Sequence, residues 1–351
     1  MVLTGKTHLR SLNQKELVEF LAELKAPRFR AAQILDWLYK KNAVDFSEMK
    51  NLPPDLKKLL SEQAKASALE LVEVPESRNH ESFKYLMKTE DGHLLESVLI
   101  AQSGRQTVCV STQLGCRMMC SFCASGKGKF GRNLTAGEIV EQVSWISRHR
   151  GTPVTNIVFM GMGEPLDNYE ATMKAIEILM ADWGFGLGAR RITVSTSGIT
   201  PMIERFVQDV RGRVRLSISL HSSRQETRSE LVPISRKYKL NELVQMLDKI
   251  HKTLKRDITF EYTLIADVND SDEEAKGVAR ISERLGAKVN IIPYNPIREM
   301  DYKTPTGERI EHFRNLLEKK GIRVTVRQTA GRDIDAACGQ LRQDRLTPSN
   351  N

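Results

Sequence analysis

The stretch Cys116-Arg-Met-Met-Cys120-Ser-Phe-Cys123 decides how the rest of this 351-residue chain is interpreted. Its three cysteines stand four and three residues apart, so a single loop can present three thiolates to one soft metal centre. A structural zinc usually has four ligands, and Cys109 is the one other cysteine near enough in sequence to supply the fourth. Three thiolates fit a 4Fe-4S cluster that leaves one iron open to another ligand. We predict such a cluster; the alternative is that the three cysteines bind no metal centre.

The cysteine loop follows a predicted strand at 105–112 and opens a region where strand and helix patterns alternate. Six further strands are predicted at VTNIVFM (154–160), RRITVST (190–196), VRLSISL (214–220), ITFEYTL (258–264), KVNIIP (288–293) and IRVTVRQ (322–328). One intervening helix begins at Thr135, with Glu138 three residues later as a capping box. Strands that are apolar on both faces and alternate with helices predict a parallel sheet or partial barrel of six or seven units.

The residues before this region divide into two further parts. Residues 1–68 are predicted to form a basic helical domain, because Leu17, Phe20, Leu21 and Leu24 recur with helical spacing. Residues 69–104 contain three β-rich runs separated by turn residues, which predict a short antiparallel sheet feeding into the barrel. The barrel with its C-terminal cysteine segment is assigned to 105–342, and 343–351 is a tail.

Composition sets outer limits on function. The chain carries a formal net charge of +9, which fits either a solvated basic face or a polyanionic partner such as nucleic acid. It has no apolar run of the roughly 18 residues that a membrane span requires, and MVLTGKTHLR lacks the apolar core of a secretory signal. An odd count of five cysteines argues against structural disulfides. We therefore expect a cytoplasmic protein.

Further polar residues follow the predicted strands. Gly161-Met162-Gly163-Glu164-Pro165 comes directly after VTNIVFM, where glycines allow a ligand to approach the backbone closely; a plain turn is the alternative. Other strand ends carry Ser195, Ser219-Leu220-His221 and Asn295. Each could be an ordinary strand-end cap, and His221 a structural histidine. Together they predict a polar rim at one end of a barrel, suited to ribose hydroxyls and a carboxylate.

The motif C-x3-C-x2-C, with Phe122 before its last cysteine, resembles the radical S-adenosylmethionine (SAM) superfamily. A longer likeness runs over residues 10–342 and includes FRAAQILDWLYKK at 29, NLTAGEIVEQV at 133, GMGEPLDN at 161 and DIDAACGQL at 333. Over this length the chain resembles the RlmN/Cfr family of RNA adenosine methyltransferases. A lone cysteine is usually a small buried hydrophobe, but the acidic, glycine-flanked segment around Cys338 matches this family.

The resemblance implies a partial (β/α)6 radical-SAM barrel and a set of residue roles. SAM would chelate the open iron and contact Gly163, Glu164, Ser195, Ser219, Leu220, His221 and Asn295. One SAM would methylate Cys338, and reductive cleavage of a second would give a 5'-deoxyadenosyl radical that activates this methyl for addition to adenine. Cys109 would then release the product through a transient disulfide. Glu96 matches the family's proton acceptor, although Cys109 could take the proton and an exposed strand glutamate is the alternative.

The resemblance also implies substrates and partners. The closer branch, RlmN, methylates C2 of adenosine 2503 of 23S rRNA and adenosine 37 of tRNA and needs an electron donor such as a flavodoxin-type system. A monomer is expected. Alternatives are Cfr-like C8 methylation, a radical-SAM activase of a protein, which would leave Cys338 without a role, and a noncatalytic iron–sulfur RNA-binding protein. Candidate phosphate contacts, besides the N-terminal domain, are Lys127, Lys129, Arg132, Arg211, Arg213 and Arg215.

Overall fold

The computed structural model describes residues 5–102, 104–251, 253–254, 257–327 and 331–342, so the predicted tail at 343–351 lies outside the described residues. The strands are β1 (Thr7–His8), β2 (Ala64–Lys65), β3 (Leu69–Glu73), β4 (Ser82–Thr89), β5 (Leu94–Gln102), β6 (Arg105–Cys109), β7 (Asn156–Phe159), β8 (Ile192–Thr196), β9 (Arg215–Ser219), β10 (Thr259–Leu264), β11 (Lys288–Pro293) and β12 (Val324–Val326). The α-helices are α1 (Gln14–Glu23), α2 (Arg30–Tyr39), α3 (Pro54–Gln63), α4 (Ala136–Arg150), α5 (Tyr169–Met180), α6 (Thr200–Asp209), α7 (Gln225–Leu231), α8 (Leu240–Ile250), α9 (Asp272–Leu285) and α10 (Gly307–Glu318).

Strands β6 to β12 form the parallel part of one continuous sheet. They lie side by side in chain order, and α4, α5, α6, α8, α9 and α10 occupy the connections between them. Six strand–helix units followed by β12 confirm the predicted partial (β/α)6 barrel. β6 pairs with β7 on one edge and with β5 on the other, so within the described residues β12 does not pair with β6. The barrel therefore stays open between β5–β6 and β12.

The antiparallel strands β3 to β5 continue this same sheet. β5 pairs with β6 in a register that sets Val98 opposite Cys109, and the Ser97 hydroxyl donates a hydrogen bond to the Cys109 carbonyl at 2.7 Å. The predicted β-rich runs at 69–102 are thus present, but they extend the barrel sheet directly. This arrangement brings Glu96 on β5 beside the strand that carries Cys109.

The predicted capping box begins α4. The Thr135 hydroxyl accepts from the Glu138 backbone N–H at 3.2 Å, and the Glu138 carboxylate accepts from the Thr135 N–H at 2.8 Å. The helix ends at Gly151, whose φ of +63° is a left-handed conformation that glycine adopts without strain. α4 thereby has defined ends on the outside of the sheet, next to the N-terminal helices. None of the described helices combines the length and the hydropathy needed to cross a bilayer.

A buried arginine fastens the N-terminal helices to the barrel. The guanidinium of Arg10 is fully buried and donates to the carbonyls of Ala66, Leu38 and Ala43 at 3.1, 2.6 and 2.7 Å. It also donates to the hydroxyl of Ser144 on α4 at 2.8 Å. Because buried carbonyls without a donor are costly, this one side chain couples several loops to the barrel wall.

We expect Arg10→Met to lower the free energy of unfolding by about 3 kcal/mol or more, because three buried carbonyls lose their donor. The measurement is urea denaturation of the metal-free protein. Arg284→Met is the matched control, since the Arg284 guanidinium makes a surface ion pair with Asp248 at 2.7 Å. Equal stability of the two variants would contradict the anchoring role of Arg10.

Candidate functional site

The cysteine loop and the carboxyl ends of the barrel strands enclose a cavity of about 140 Å³. The three loop cysteines line it, and so do six of the seven residues predicted to bind SAM: Gly163, Glu164, Ser195, Ser219, His221 and Asn295. Leu220 is the exception. Its side chain is fully buried in the hydrophobic core and does not line the cavity. The structure therefore gathers the predicted cluster and cofactor residues around one space, apart from Leu220.

The three loop thiols lie in a protein environment that disfavours bare thiolates. Burial raises the pKa of Cys116 to about 12, and the neighbouring Cys123 thiol adds to the shift. The pKa of Cys120 is raised in the same way, by burial and by the other two thiols. Within the described residues no three His, Cys, Asp or Glu side chains converge on a single metal ion. A cluster binds each thiolate through a different iron, and the positive irons would stabilise the thiolate forms, so this soft donor set fits a 4Fe-4S cluster.

The GMGEP glycines are required by the protein's own packing. A Cβ on Gly161 would lie 2.7 Å from the Val110 carbonyl oxygen. Gly163 has φ +100°, and a Cβ there would lie 2.6 Å from the Gln113 side chain and 2.8 Å from the Gln113 backbone N. The sequence pattern predicts that a ligand approaches the backbone closely at these glycines. The structure shows that the neighbouring segment at 110–113 occupies the space that their Cβ atoms would take, while both glycines still line the cavity.

Two buried polar groups on the cavity wall fit a polar cofactor. The Glu164 carboxylate accepts hydrogen bonds from the backbone N–H and hydroxyl of Ser197 at 2.7 and 2.8 Å, and burial raises its pKa. The amide of Asn295 donates from Nδ2 to the Cys338 carbonyl at 3.1 Å. Its Oδ1 is buried and has no hydrogen-bond partner among the described residues. An unpaired buried acceptor on a cavity wall suits a hydroxyl or ammonium group of SAM.

His221 is held neutral with a defined tautomer. Burial, with a smaller contribution from the nearby Arg228 guanidinium, lowers its pKa to about 3. Its Nδ1 accepts from the Thr263 backbone N–H at 2.9 Å, so the ring proton resides on Nε2. Arg228 is itself buried and donates to the carbonyls of Ser197 and Ser219, both at 2.9 Å. Arg228 thereby holds two segments that line the cavity, and nothing in its sequence context distinguishes it from surface arginines.

A second cavity, of about 430 Å³, fills the opening between β5–β6 and β12. Cys109 and Cys338 both line it, together with Val98, Thr325 and Arg327. Cys338 also lines the first cavity. Cys109 and Cys338, which are far apart in sequence, thus line the same cavity. Cys338 lies between this cavity and the cavity of the cluster loop. Both cysteines are free thiols.

Hydrogen bonds to the cluster loop, to Asn295 and to Glu96 help to hold the segment that carries Cys338, defined here as residues 331–342. The Ala124 N–H donates to the Gly339 carbonyl at 2.8 Å, and the Ser125 hydroxyl to the Leu341 carbonyl at 2.7 Å. The Asn295 amide donates to the Cys338 carbonyl at 3.1 Å, and the Arg342 backbone N–H donates to the Glu96 carboxylate at 2.9 Å. The C-terminal segment is therefore fixed to the cluster loop on one side and to β5 on the other.

Glu96 is buried, so it is not an exposed strand glutamate. Its side chain is fully shielded from solvent, and its carboxylate forms an ion pair with Lys84 at 3.3 Å. Lys84 is also buried, on β4. The Lys84 ammonium offsets part of the cost of burying the Glu96 carboxylate.

Arg327 supplies positive charge near the thiols of both Cys109 and Cys338. Burial raises the pKa of Cys109 to about 12 and that of Cys338 above its ordinary value, whereas Arg327 lowers both. Cys338 has exposed surface, but that surface faces the two cavities, so the surrounding protein still disfavours its thiolate. Arg327 follows β12, and nothing in its sequence context distinguished it.

The residues predicted to contact phosphate differ in exposure and in whether an ion pair within the protein already neutralises their charge. Arg132 makes ion pairs with Asp91 and Glu138, both at 2.7 Å, so its charge is already neutralised within the protein. Lys127 and Lys129 are exposed beside the cluster loop. Arg211, Arg213 and Arg215 are exposed near the start of β9, at the opposite end of the barrel from the cysteines.

Comparison with known proteins places the chain in a family. Residues 110–277 match the radical SAM superfamily, and residues 7–66 match the ribosomal RNA large subunit methyltransferase N-terminal domain. The chain is 41% identical, over 97% of both chains, to a Desulforamulus reducens protein named as a probable dual-specificity RNA methyltransferase RlmN.

The chain belongs to the RlmN family. A second RlmN relative, from Akkermansia muciniphila, is 43% identical over 94% of this chain and 93% of its own length. The solved structure of a radical SAM methyltransferase from Sphaerobacter thermophilus superposes with a TM-score of 0.93, at 44% identity over 96% of this chain and 99% of that one. The RlmN family match confirms the resemblance read from the motifs.

We expect Gly163→Ala to lower the free energy of unfolding by about 1–3 kcal/mol, because alanine is strained at positive φ and its Cβ would clash with the Gln113 backbone. Iron content and thermal stability after anaerobic reconstitution measure the effect. Gly188→Ala is the control, since nothing lies within 4 Å of a Cβ there. Normal iron binding and stability in Gly163→Ala would show that the packing at 110–113 is loose.

The rates of alkylation should report the exposure and the protonation of the Cys109 and Cys338 thiols. In cluster-loaded protein, iodoacetamide should modify exposed Cys338 faster than half-buried Cys109. Both rates should rise about tenfold per pH unit from 7 to 9, because thiolate is the nucleophile and both pKa values are raised. Arg327→Gln should slow both reactions at fixed pH, whereas Arg323→Gln, which removes a surface partner of Asp257, should not. Rates that do not change with pH would contradict these pKa directions.

Proposed function

We propose that this protein methylates C2 of adenosine in RNA, with adenosine 2503 of 23S rRNA and adenosine 37 of tRNA as substrates. The observation that carries the proposal is the position of Cys338. It lines both the cavity of the cluster loop and the cavity of Cys109. A residue that receives a methyl group on one side and delivers it on the other has to face both spaces. The RNA methyltransferase names of the relatives support the same activity.

Each step assigns a task to a residue of this chain. SAM and a 4Fe-4S cluster held by Cys116, Cys120 and Cys123 would supply the methyl group and the radical chemistry, two SAM molecules being consumed per methyl transferred. Cys338 Sγ accepts one methyl by displacement, for which it must be a thiolate, and Arg327 favours that form. Glu164, Ser195, Ser219, His221 and Asn295 would bind and orient the SAM.

Release of the product needs the second thiol. Once the adenine carbon is joined to the methyl carbon on Cys338, the adduct must lose its ring proton and its unpaired electron, which would return to the cluster. The Cys109 thiolate then attacks Cys338 Sγ and forms a Cys109–Cys338 disulfide, while the departing carbon takes the electron pair of the broken C–S bond and a proton to become the methyl group of the product. The two thiols share a cavity, which supports this exchange. External reductant restores the thiols before the next cycle.

Glu96 is proposed as the acceptor of the ring proton. Its buried ion pair with Lys84 supports a charged carboxylate, and β5 places it next to β6, where Cys109 lies. Because its carboxylate accepts from the Arg342 N–H, the same residue also holds the C-terminal segment. Glu96→Gln should keep that hydrogen bond and lose proton transfer, so methyl transfer to Cys338 should persist while RNA methylation falls by about 10²-fold or more.

The RNA partner is supported by the N-terminal helices as well as by the relatives. Phe29, before α2, is 58% exposed, and the Arg30 guanidinium stacks over its ring at 4.6 Å from the centroid. An exposed aromatic ring with cations around it is a surface on which an unpaired base can stack. The target adenine must leave its own stack to reach the cavity of Cys109 and Cys338. We further propose that the protein is a monomer in the cytoplasm and that a flavodoxin-type donor supplies its electrons.

Trapping of RNA tests this function. Cys109→Ala, incubated anaerobically with SAM, a reductant and a tRNA transcript, should form a covalent protein–RNA adduct at Cys338, because the resolving thiol is missing. Cys338→Ala is the matched control and should neither trap nor methylate RNA. Nuclease digestion of wild-type product identifies 2-methyladenosine, and 8-methyladenosine would assign the Cfr-like alternative. Retained full activity in Cys338→Ala would contradict the proposal and favour an activase of a protein substrate.

A further inference from the structure

A cavity of about 680 Å³ lies at the end of the barrel opposite the cysteines, where β6 to β9 begin. Five arginines line it, and we call it the arginine cavity: Arg105, Arg190, Arg191, Arg213 and Arg215. Its other lining residues are small or neutral. All five arginines are exposed. They come from separate parts of the chain, the start of β6, the turn before β8 and the start of β9, and only the fold brings them together.

The charges in the arginine cavity are not neutralised by the protein. Among the described residues no carboxylate lies within ion-pair distance of any of the five, and two of them donate to backbone carbonyls, Arg191 to Thr155 at 3.3 Å and Arg213 to Val210 at 3.5 Å. Arginines elsewhere behave differently: Arg205 and Arg284, for example, each pair with a carboxylate. Like charges gathered in one concavity repel each other, so the arrangement favours an anionic ligand.

Shared lining residues relate the arginine cavity to the cavity of Cys109 and Cys338. Arg215 also lines a third cavity, of about 390 Å³, inside the barrel. Met160 and Arg327 line that cavity too, and both also line the cavity of Cys109 and Cys338. In addition, Arg105 precedes Cys109 by four residues on β6, roughly 13 Å at about 3.3 Å per residue. Nucleotides beside a base held at Cys109 would place their phosphates within reach of these arginines.

We propose that the arginine cavity binds backbone phosphates of the RNA substrate, next to the nucleotide whose base enters the barrel between β5 and β12. This inference rests on the proposed function, and it adds a binding site for the RNA backbone. Guanidinium groups suit phosphate oxygens, because their planar N–H donors can contact two oxygens at once. Phosphate contacts carry no sequence information, so the site would set the position of the strand and leave base recognition to other groups.

An acidic electron-donor protein fits this position less well than RNA. Such a partner must approach the cluster loop, which lies at the carboxyl ends of the strands. Arg215 begins β9 and Ser219 ends it beside the cluster cavity, so the arginine cavity opens at the end of the barrel that faces away from the cluster loop. Exposed Lys127 and Lys129 lie on the cluster side instead.

The test compares two triple variants that each lose three positive charges. Arg190→Gln/Arg191→Gln/Arg213→Gln changes the arginine cavity, and Lys276→Gln/Lys319→Gln/Lys320→Gln changes exposed lysines of α9 and the end of α10. Binding of an unmodified tRNA transcript is measured by fluorescence anisotropy between about 50 and 200 mM salt. The arginine variant should bind about tenfold or more weakly, and its slope of log K against log salt should fall by about 2. The lysine variant should stay within about twofold of wild type, and Arg→Lys at the three arginines should retain most of the slope.

Equal RNA binding by the two glutamine variants, with wild type that binds and methylates the transcript, would overturn the inference alone. Failure of the proposed function gives a different result, namely wild type that binds RNA without methylating it. If the arginine variant binds RNA normally but its cluster is reduced more slowly by reduced flavodoxin, the cavity docks the electron donor and the RNA assignment is wrong.

Discussion

The pairing of β5 with β6 is the constraint on which the site depends. β6 already shares its other edge with β7, so β12 has no free edge of β6 on which to close the barrel. The gap that remains holds the 430 Å³ cavity. Because of this gap, Cys109 on β6 and Cys338 on the C-terminal segment line the same cavity. In a closed barrel the two cysteines would be separated. The same pairing brings the buried Glu96 to the edge of this gap.

Electrostatics in the gap oppose thiolate formation in the resting protein. Burial raises the pKa of both Cys109 and Cys338, and the half-buried guanidinium of Arg327 acts in the other direction. A thiol that is mostly protonated at rest is protected from oxidation and stray alkylation, since thiolate is the reactive form. His221 on the cluster side is neutral with its proton on Nε2, so it can donate one hydrogen bond into the first cavity without adding charge.

The sequence predicted the order of elements well because its signals were local. Alternating apolar strands, the Thr135–Glu138 capping box and the cysteine spacing each depend on neighbouring residues, and all three are present in the structure. The convergence of distant groups was harder to foresee. Arg228 and Arg327 look like ordinary charged residues in the sequence, but the fold buries Arg228 and places Arg327 half-buried beside Cys109 and Cys338. Gly161 and Gly163 were assigned to ligand approach, although residues 110–113 occupy the space that their missing Cβ atoms leave. Five arginines from three parts of the chain formed no sequence motif, since only the sheet order brings them together.

In the proposed mechanism Cys338 carries the methyl group between the two cavities. Peptide mapping of cluster-loaded protein that has been incubated anaerobically with SAM tests this most directly. We expect one added methyl on the peptide that contains Cys338, in wild type and in Cys109→Ala alike, since the first transfer does not need Cys109. A peptide that stays unmethylated in both proteins, with the cluster intact and SAM bound, would show that Cys338 is not the methyl carrier.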